Sequence, residues 1–307
     1  MAKKIINRIL VSIPVLVGVV LLIFLMLNVV PGNPIEIMLE EHVKPDVVER
    51  MTEYYGLNDP VLVQFGRYIW NALHGDFGIS YKLNRSVTGL IMDAFPYTVK
   101  LAVAAAVVAW VIGIPAGIVS AVKKNSLVDR LFMGVSLLGV SMPVFWAALL
   151  FQYVFAYKLG WFPVSGADTW QSYVLPSIVL GWSSAGTIAR LTRSNLLEAL
   201  EEDYIRTAWA KGLKQSGVIV RHAFKNALLP VITMMAIQVA SLLSGAVITE
   251  TVFAIPGIGR LAVNAISSRD MPLLQGTVIF TTALIILGNL IADVLYSVID
   301  PRIRTDH

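Results

Sequence analysis

The chain is 307 residues long, 56% hydrophobic and only 14% charged, with a mean hydropathy of +0.72. A soluble globular chain carries about 25% charged residues, so this one cannot cover a water-facing surface, is too apolar for disorder, and falls among polytopic membrane proteins. It has no cysteine, which excludes disulfides, thiolate catalysis and Cys-ligated zinc or iron–sulfur clusters, and its net charge of +4 reflects loop topology rather than a nucleic-acid surface.

Six windows carry no charge: residues 9–30, 101–122, 131–157, 169–189, 226–249 and 271–292, each 21 to 27 residues long. A helix of 22 residues rises about 33 Å, enough to cross a hydrocarbon core about 30 Å thick. Lipid offers no partner for a free amide, so each window is expected to be helical. The first is longer than the apolar region of a signal peptide, about 7–15 residues, and no small-x-small cleavage site follows it. It therefore reads as a retained span, stopped by Pro31-Gly32-Asn33-Pro34.

Residues 31–96 follow as a net acidic segment with nine acids and five basic residues. Residues 36–55 have helical spacing, with Ile37, Val43, Val47, Val48 and Met51 among charges, and residues 56–60 form a turn. A second helix is expected over 62–73, ended by Gly75-Asp76-Phe77-Gly78. The segment is long enough to cap an outer mouth or to meet an external partner, and too short for a large core of its own.

The second window holds Gly113-Ile114-Pro115-Ala116-Gly117, a small-xxx-small face that lets helices approach closely. Prolines lie inside several windows, at 14, 115, 143, 176 and 230. Each would cost about 3 kcal/mol in a soluble helix, a penalty that neighbouring helices and hydroxyl groups soften in a membrane. Six spans place both termini on one side. Fifteen of the 24 basic residues lie on that side, in the N-terminus, in 123–130, in 190–225 and in the tail. The positive-inside rule therefore puts both termini in the cytoplasm.

The inner loop 190–225 is the longest on that face. After Leu196, Leu197 and Leu200 it turns acidic at Glu201-Glu202-Asp203, and Asp203 is expected to cap a short helix over 204–211. Tyr204, Ile205, Ala208 and Trp209 form its apolar face and Gly212 ends it. Such a helix can lie on a membrane surface or fill a groove in a cytoplasmic protein.

Here the sequence resembles a family. Arg206-Thr207-Ala208-Trp209-Ala210-Lys211-Gly212, followed by Leu229-Pro230, is similar to the EAA loop of ABC importer permeases, with Arg206 at the family's acidic first position and a longer stretch before Leu229. Both departures occur in the dipeptide/oligopeptide (peptide/nickel) branch. The resemblance runs on through residues 55–60, Gln64-Phe65, Trp70, 75–80, Ser141-Met142-Pro143-Val144-Phe145, Glu250-Thr251-Val252-Phe253, 256–260, Arg269-Asp270-Met271-Pro272 and 300–304. The long outer segment resembles that of the B-type subunit.

This resemblance implies an all-α polytopic membrane protein with the type I ABC importer permease fold: six transmembrane helices and cytoplasmic termini. Its parts are 1–30 (N-terminus and first span), 31–96 (outer helical insertion) and 97–307 (a five-helix core containing 190–225). It implies peptide import by alternating access across a prokaryotic cytoplasmic membrane, with nickel or another small solute as the alternative substrate. The implied partners are a second, C-type permease, two ABC ATPase subunits, an extracytoplasmic substrate-binding protein, the peptide and membrane lipid. ATP and Mg would be bound by the ATPase subunits, and Tyr204, Ile205, Arg206, Thr207, Ala208, Trp209 and Gly212 would couple to them.

The residues themselves exclude other roles. No Gly-x-x-x-x-Gly-Lys-Ser/Thr loop or Rossmann fingerprint is present, so the chain is not the ATPase. His42, His74, His222 and His307 lack metal-ligand spacing. No nucleophile motif or nucleic-acid surface appears, and no catalytic residue is expected. The windows contain no carboxylate, which counts against the remaining class, an autonomous ion-driven carrier. A peptide pathway needs polar lining, for which Gln152, Ser183, Ser184, Ser244 and, on one face of the fifth window at i, i+4 and i+7, Met234, Gln238 and Ser241 are the candidates. Interhelical hydrogen bonding is the competing role for each.

Overall fold

A computed structural model describes residues 2–29, 49, 52–53, 58–243 and 246–299. Their secondary structure is helical, and the sole strand-like feature among them is an isolated antiparallel bridge between Ile79 and Ser86. α1 is Ala2–Val29, α2 Val61–Leu73 and α3 Val87–Val122. α4 is Leu127–Ser141 and α5 Val144–Phe151, which continues as a wider π-helical stretch, Gln152–Lys158. α6 is Val174–Glu201, α7 Asp203–Ala210 and α8 Phe224–Leu243. α9 is Val247–Val252, α10 Ile258–Ser267 and α11 Met271–Ile299.

Among the described residues, three helical stretches are long and apolar enough to cross a membrane: Val87–Val122, Gln215–Leu243 and Met271–Ala292. A fourth arises if α4 and α5 form one broken span, and α1 contributes the shorter apolar stretch Leu10–Leu25. The window 131–157 is therefore not one straight helix. The axes of α4 and Val144–Lys158 differ by 106°. Pro143 pushes Met142 into an extended conformation, with ψ 128°, and cannot donate the amide that would continue the helix. Other boundaries also differ from the charge-free windows. α3 starts at Val87, where the Ser86 hydroxyl accepts from the Gly89 amide. The window 169–189 opens on a 3-10 turn, Trp170–Tyr173, and its helix runs on to Glu201. The expected helix at 36–55 lies outside the described residues, apart from Glu49, Thr52 and Glu53.

The centre of the bundle is α6 packed between α3 and α4. Backbones touch where side chains are smallest. A Cβ on Gly117 of α3 would lie 2.5 Å from the Ala189 carbonyl oxygen, and one on Gly113 would lie 2.8 Å from that of Ala185. Gly181 of α6 returns the contact, 2.9 Å from the Ala105 carbonyl. The small-residue face thus sets the α3–α6 separation, and any larger residue there forces the helices apart.

Candidate functional site

One end of the bundle, the inner end in the expected orientation, presents α7. Glu202, not the expected Asp203, stands at its N-cap: the Ile205 amide donates to the Glu202 carbonyl at 3.0 Å, while Asp203 pairs with Arg206 at 3.2 Å. The C-terminus closes in a Schellman turn, in which Gly212 N donates to Trp209 O (2.9 Å) and Leu213 N to Ala208 O (3.4 Å). Gly212 has φ +74°, the left-handed conformation that a Cβ disfavours.

The four apolar residues of α7 do not share one environment. Ile205 and Ala208 are buried against this chain's own Ala121, Leu196, Val218 and Ala223. Tyr204 and Trp209 are exposed, beside exposed Arg206 and Thr207. One edge of α7 is rooted in the bundle and the other is offered to solvent. Nearby, Arg193 of α6 grips Asp129 of α4 with two bonds, at 2.7 and 2.8 Å, and Asp129 also accepts from the Asn125 amide at 2.9 Å. Sequence reasoning missed this bidentate pair, in which Asp129 is buried and Arg193 half-buried. Its one local trace is an acid in an otherwise basic inner loop.

Of the pathway candidates, Met234 and Gln238 are half-buried on α8 and Ser241 is exposed there, while Ser244 lies outside the described residues. Gln238 Nε2 donates to the Ser184 carbonyl of α6 at 3.1 Å, which brings two of the candidates together. Its Oε1 is buried and has no hydrogen-bond partner among the described residues, an acceptor left open between helices. Gln152 has a different role: its amide donates to the carbonyls of Val164 and Val252 and ties the loop at Val164 to the C-terminal end of α9.

The opposite end, outer in the expected orientation, is built on two fully buried carboxylates. Glu250 of α9 accepts from Thr98 Oγ1 of α3 at 2.8 Å and from the Arg260 amide at 3.1 Å. Thr98 Oγ1 accepts in turn from the Ile258 amide at 2.9 Å. Burial pushes the Glu250 carboxyl above its ordinary range, and these donors pull it back. Gly259 lies against α9, where a Cβ would sit 2.7 Å from the Val247 Cα. Asp270, at the start of α11, accepts from the Ser80 hydroxyl and from the amides of Tyr81 (3.2 Å), Lys82 (3.3 Å) and Leu273 (3.3 Å). It fastens the loop at 79–86 to the mouth of the bundle. Both acids sit in stretches that carried the family resemblance, but neither spacing revealed its partner. These acids hold backbone amides and hydroxyls, the work of anchors rather than of acid–base chemistry.

Residues 113–305 match the family of binding-protein-dependent transport system inner membrane components, and residues 1–102 match that family's N-terminal model. The dipeptide transport system permease protein DppB of Alkalihalophilus pseudofirmus is 42% identical over 326 residues, covering 97% of this chain and 98% of its own. The glutathione transport system permease protein GsiC of Escherichia coli K12 is 41% identical over 304 residues, covering 99% of each. An inward-facing structure of the MetNI methionine ABC transporter superposes with a TM-score of 0.59 at 16% identity, over 69% of this chain and 96% of that one. An amino acid ABC transporter chain gives 0.50 at 17% identity, over 70% and 94%. These two likenesses establish the fold.

Proposed function

The chain belongs to the family of binding-protein-dependent transport system inner membrane components, and on that premise we propose that it is the transmembrane permease subunit of an ATP-driven peptide importer. The family consists of membrane components and not of enzymes. ATP hydrolysis falls to ATPase partners, and substrate reaches the outer face on a binding protein. The near-full-length similarity to a dipeptide and a glutathione permease favours a short peptide over nickel as the substrate. The finer assembly follows the same reading: a C-type second permease, two ATPases, six spans with cytoplasmic termini, and the cytoplasmic membrane of a prokaryote.

The observation that carries the mechanism is the split environment of α7. Ile205 and Ala208 join it to the inner ends of α3, α6 and α8, and Tyr204, Arg206, Thr207 and Trp209 form the surface that an ATPase groove receives. A push on the exposed edge is thereby delivered to three helices at once. ATP binding biases the ATPases toward closure, and the permease follows because its two states contact them differently. Met234, Gln238, Ser241 and Ser244 line the path that opens, with Gln238 Oε1, unpaired among the described residues, as an acceptor for the peptide's N–H groups or ammonium.

The test is the double variant Tyr204→Ala/Trp209→Ala in a reconstituted complex. It is expected to insert and fold normally while losing ATPase association or substrate-stimulated hydrolysis. Full assembly and transport by this variant would rule out α7 as the coupling element. Uptake of dipeptide, glutathione and nickel by the wild-type complex decides the substrate, and transport without any ATPase would return the carrier class.

A further inference from the structure

α2 has three faces. Gln64, Phe65, Tyr68, Ile69 and Ala72 are half-buried. Arg67 and Asn71 form an exposed polar face, where Arg67 pairs with Asp59. Between them Leu62, Gly66, Trp70 and Leu73 recur at i, i+4, i+8 and i+11, one stripe of a helix. All four are exposed, Leu62 at 80%, Trp70 at 65% and Leu73 at 77%. Such a stripe on a short amphipathic helix needs a cover.

Its position says what the cover is. Phe65 packs on Phe24 with ring centroids 5.4 Å apart. Phe24 lies within the last two turns of the charge-free window 9–30 carried by α1, so α2 lies beside the end of that window, near the level where it leaves the hydrocarbon. Around it Leu21, Leu22 and Leu25 remain exposed, so the lipid-facing surface of α1 runs on into the stripe of α2. Trp70, an amphipathic ring favoured at membrane–water boundaries, lies in the middle of the stripe. We propose that α2 is an interfacial helix, with Leu62, Trp70 and Leu73 in the acyl boundary of the bilayer and the Arg67–Asp59 pair in water. It moors the outer segment to lipid beside α1. The choice of leaflet rests on the orientation proposed above, but the depth does not.

The chain's lack of cysteine allows nitroxide labels to be placed singly through Leu62→Cys, Trp70→Cys, Leu73→Cys and Asn71→Cys. The assembled transporter, with cysteine-free partner subunits, is placed in phosphatidylethanolamine/phosphatidylglycerol nanodiscs. The three stripe labels are expected to collide more with oxygen than with a water-soluble nickel chelate, at a common depth about 5–10 Å into the headgroup–acyl boundary. The Asn71 label should show the reverse. As a label-free measure, brominated lipid should quench wild-type fluorescence more than that of Trp70→Phe. Stripe labels that behave like Asn71, or that are shielded from both reagents, would overturn the proposal in favour of water or a protein cover. In sealed vesicles, an Asn71 label reached by chelate only from the inside would instead overturn the orientation while leaving the interfacial position intact.

Discussion

The inner and outer ends of this bundle solve one problem in opposite ways. Each must hold a short helix against the ends of longer ones. At the outer end α9 and α10 are fixed by Glu250, whose carboxylate receives a hydroxyl from α3 and an amide from α10. At the inner end α7 is fixed by Ile205 and Ala208, two apolar side chains in a cluster drawn from α3, α6 and the approach to α8. Hydrogen bonds are directional and a buried group left unpaired is costly, so the outer joint has one geometry. Apolar contact is non-directional, so the inner joint transmits force while tolerating small shifts. With α7 in its proposed coupling role, the importer has both, a fixed frame at the mouth and a compliant root under the helix that is pushed.

Three substitutions sharpen this contrast. The largest effect is expected from Glu250→Ala, which strands the Thr98 hydroxyl and the Arg260 amide at about 1–3 kcal/mol each. The purified complex should melt at a markedly lower temperature, and Glu250→Gln, which keeps an acceptor, should recover part of the loss. A melting curve unchanged in Glu250→Ala would break the idea of a polar lock. Next comes Ile205→Ala, for which the buried cavity predicts a loss of about 2–5 kcal/mol. Its coupling should fail gradually: substrate-stimulated ATP hydrolysis falls while ATPase binding persists, because the exposed edge is intact. Loss of ATPase binding with stability unchanged would place Ile205 on the docking surface instead. The smallest effect is expected at Gly212→Ala, where a left-handed residue gains a Cβ at a cost of about 1–2 kcal/mol. Faster proteolysis after Lys211 and Lys214, with transport reduced but not lost, is the measurable result.

The sequence by itself determined the class of the molecule and its local elements. Charge-free windows, turn residues and helical spacing are properties of neighbours along the chain, so they marked the limits of α2 and the turn at Gly212 to within a few residues and the apolar parts of the long helices, but not where α3 begins, at Val87, or where α6 ends, at Glu201. Pro143 was equally visible, but whether it kinks a span or folds it back by 106° depends on what packs beyond it. Only the tertiary structure decided the joints. Thr98 and Glu250 are 152 residues apart, Ser80 and Asp270 190, and Asp129 and Arg193 64. Nothing in the pattern around one such residue encodes the address of the other. The same holds for α7: its periodicity revealed four apolar residues, but a helix cannot state which of them its own bundle will cover. The packing of α3, α6 and α8 assigned Ile205 and Ala208 to the interior and left Tyr204 and Trp209 exposed, because burial is a property of the surfaces that meet and not of the segment that carries them.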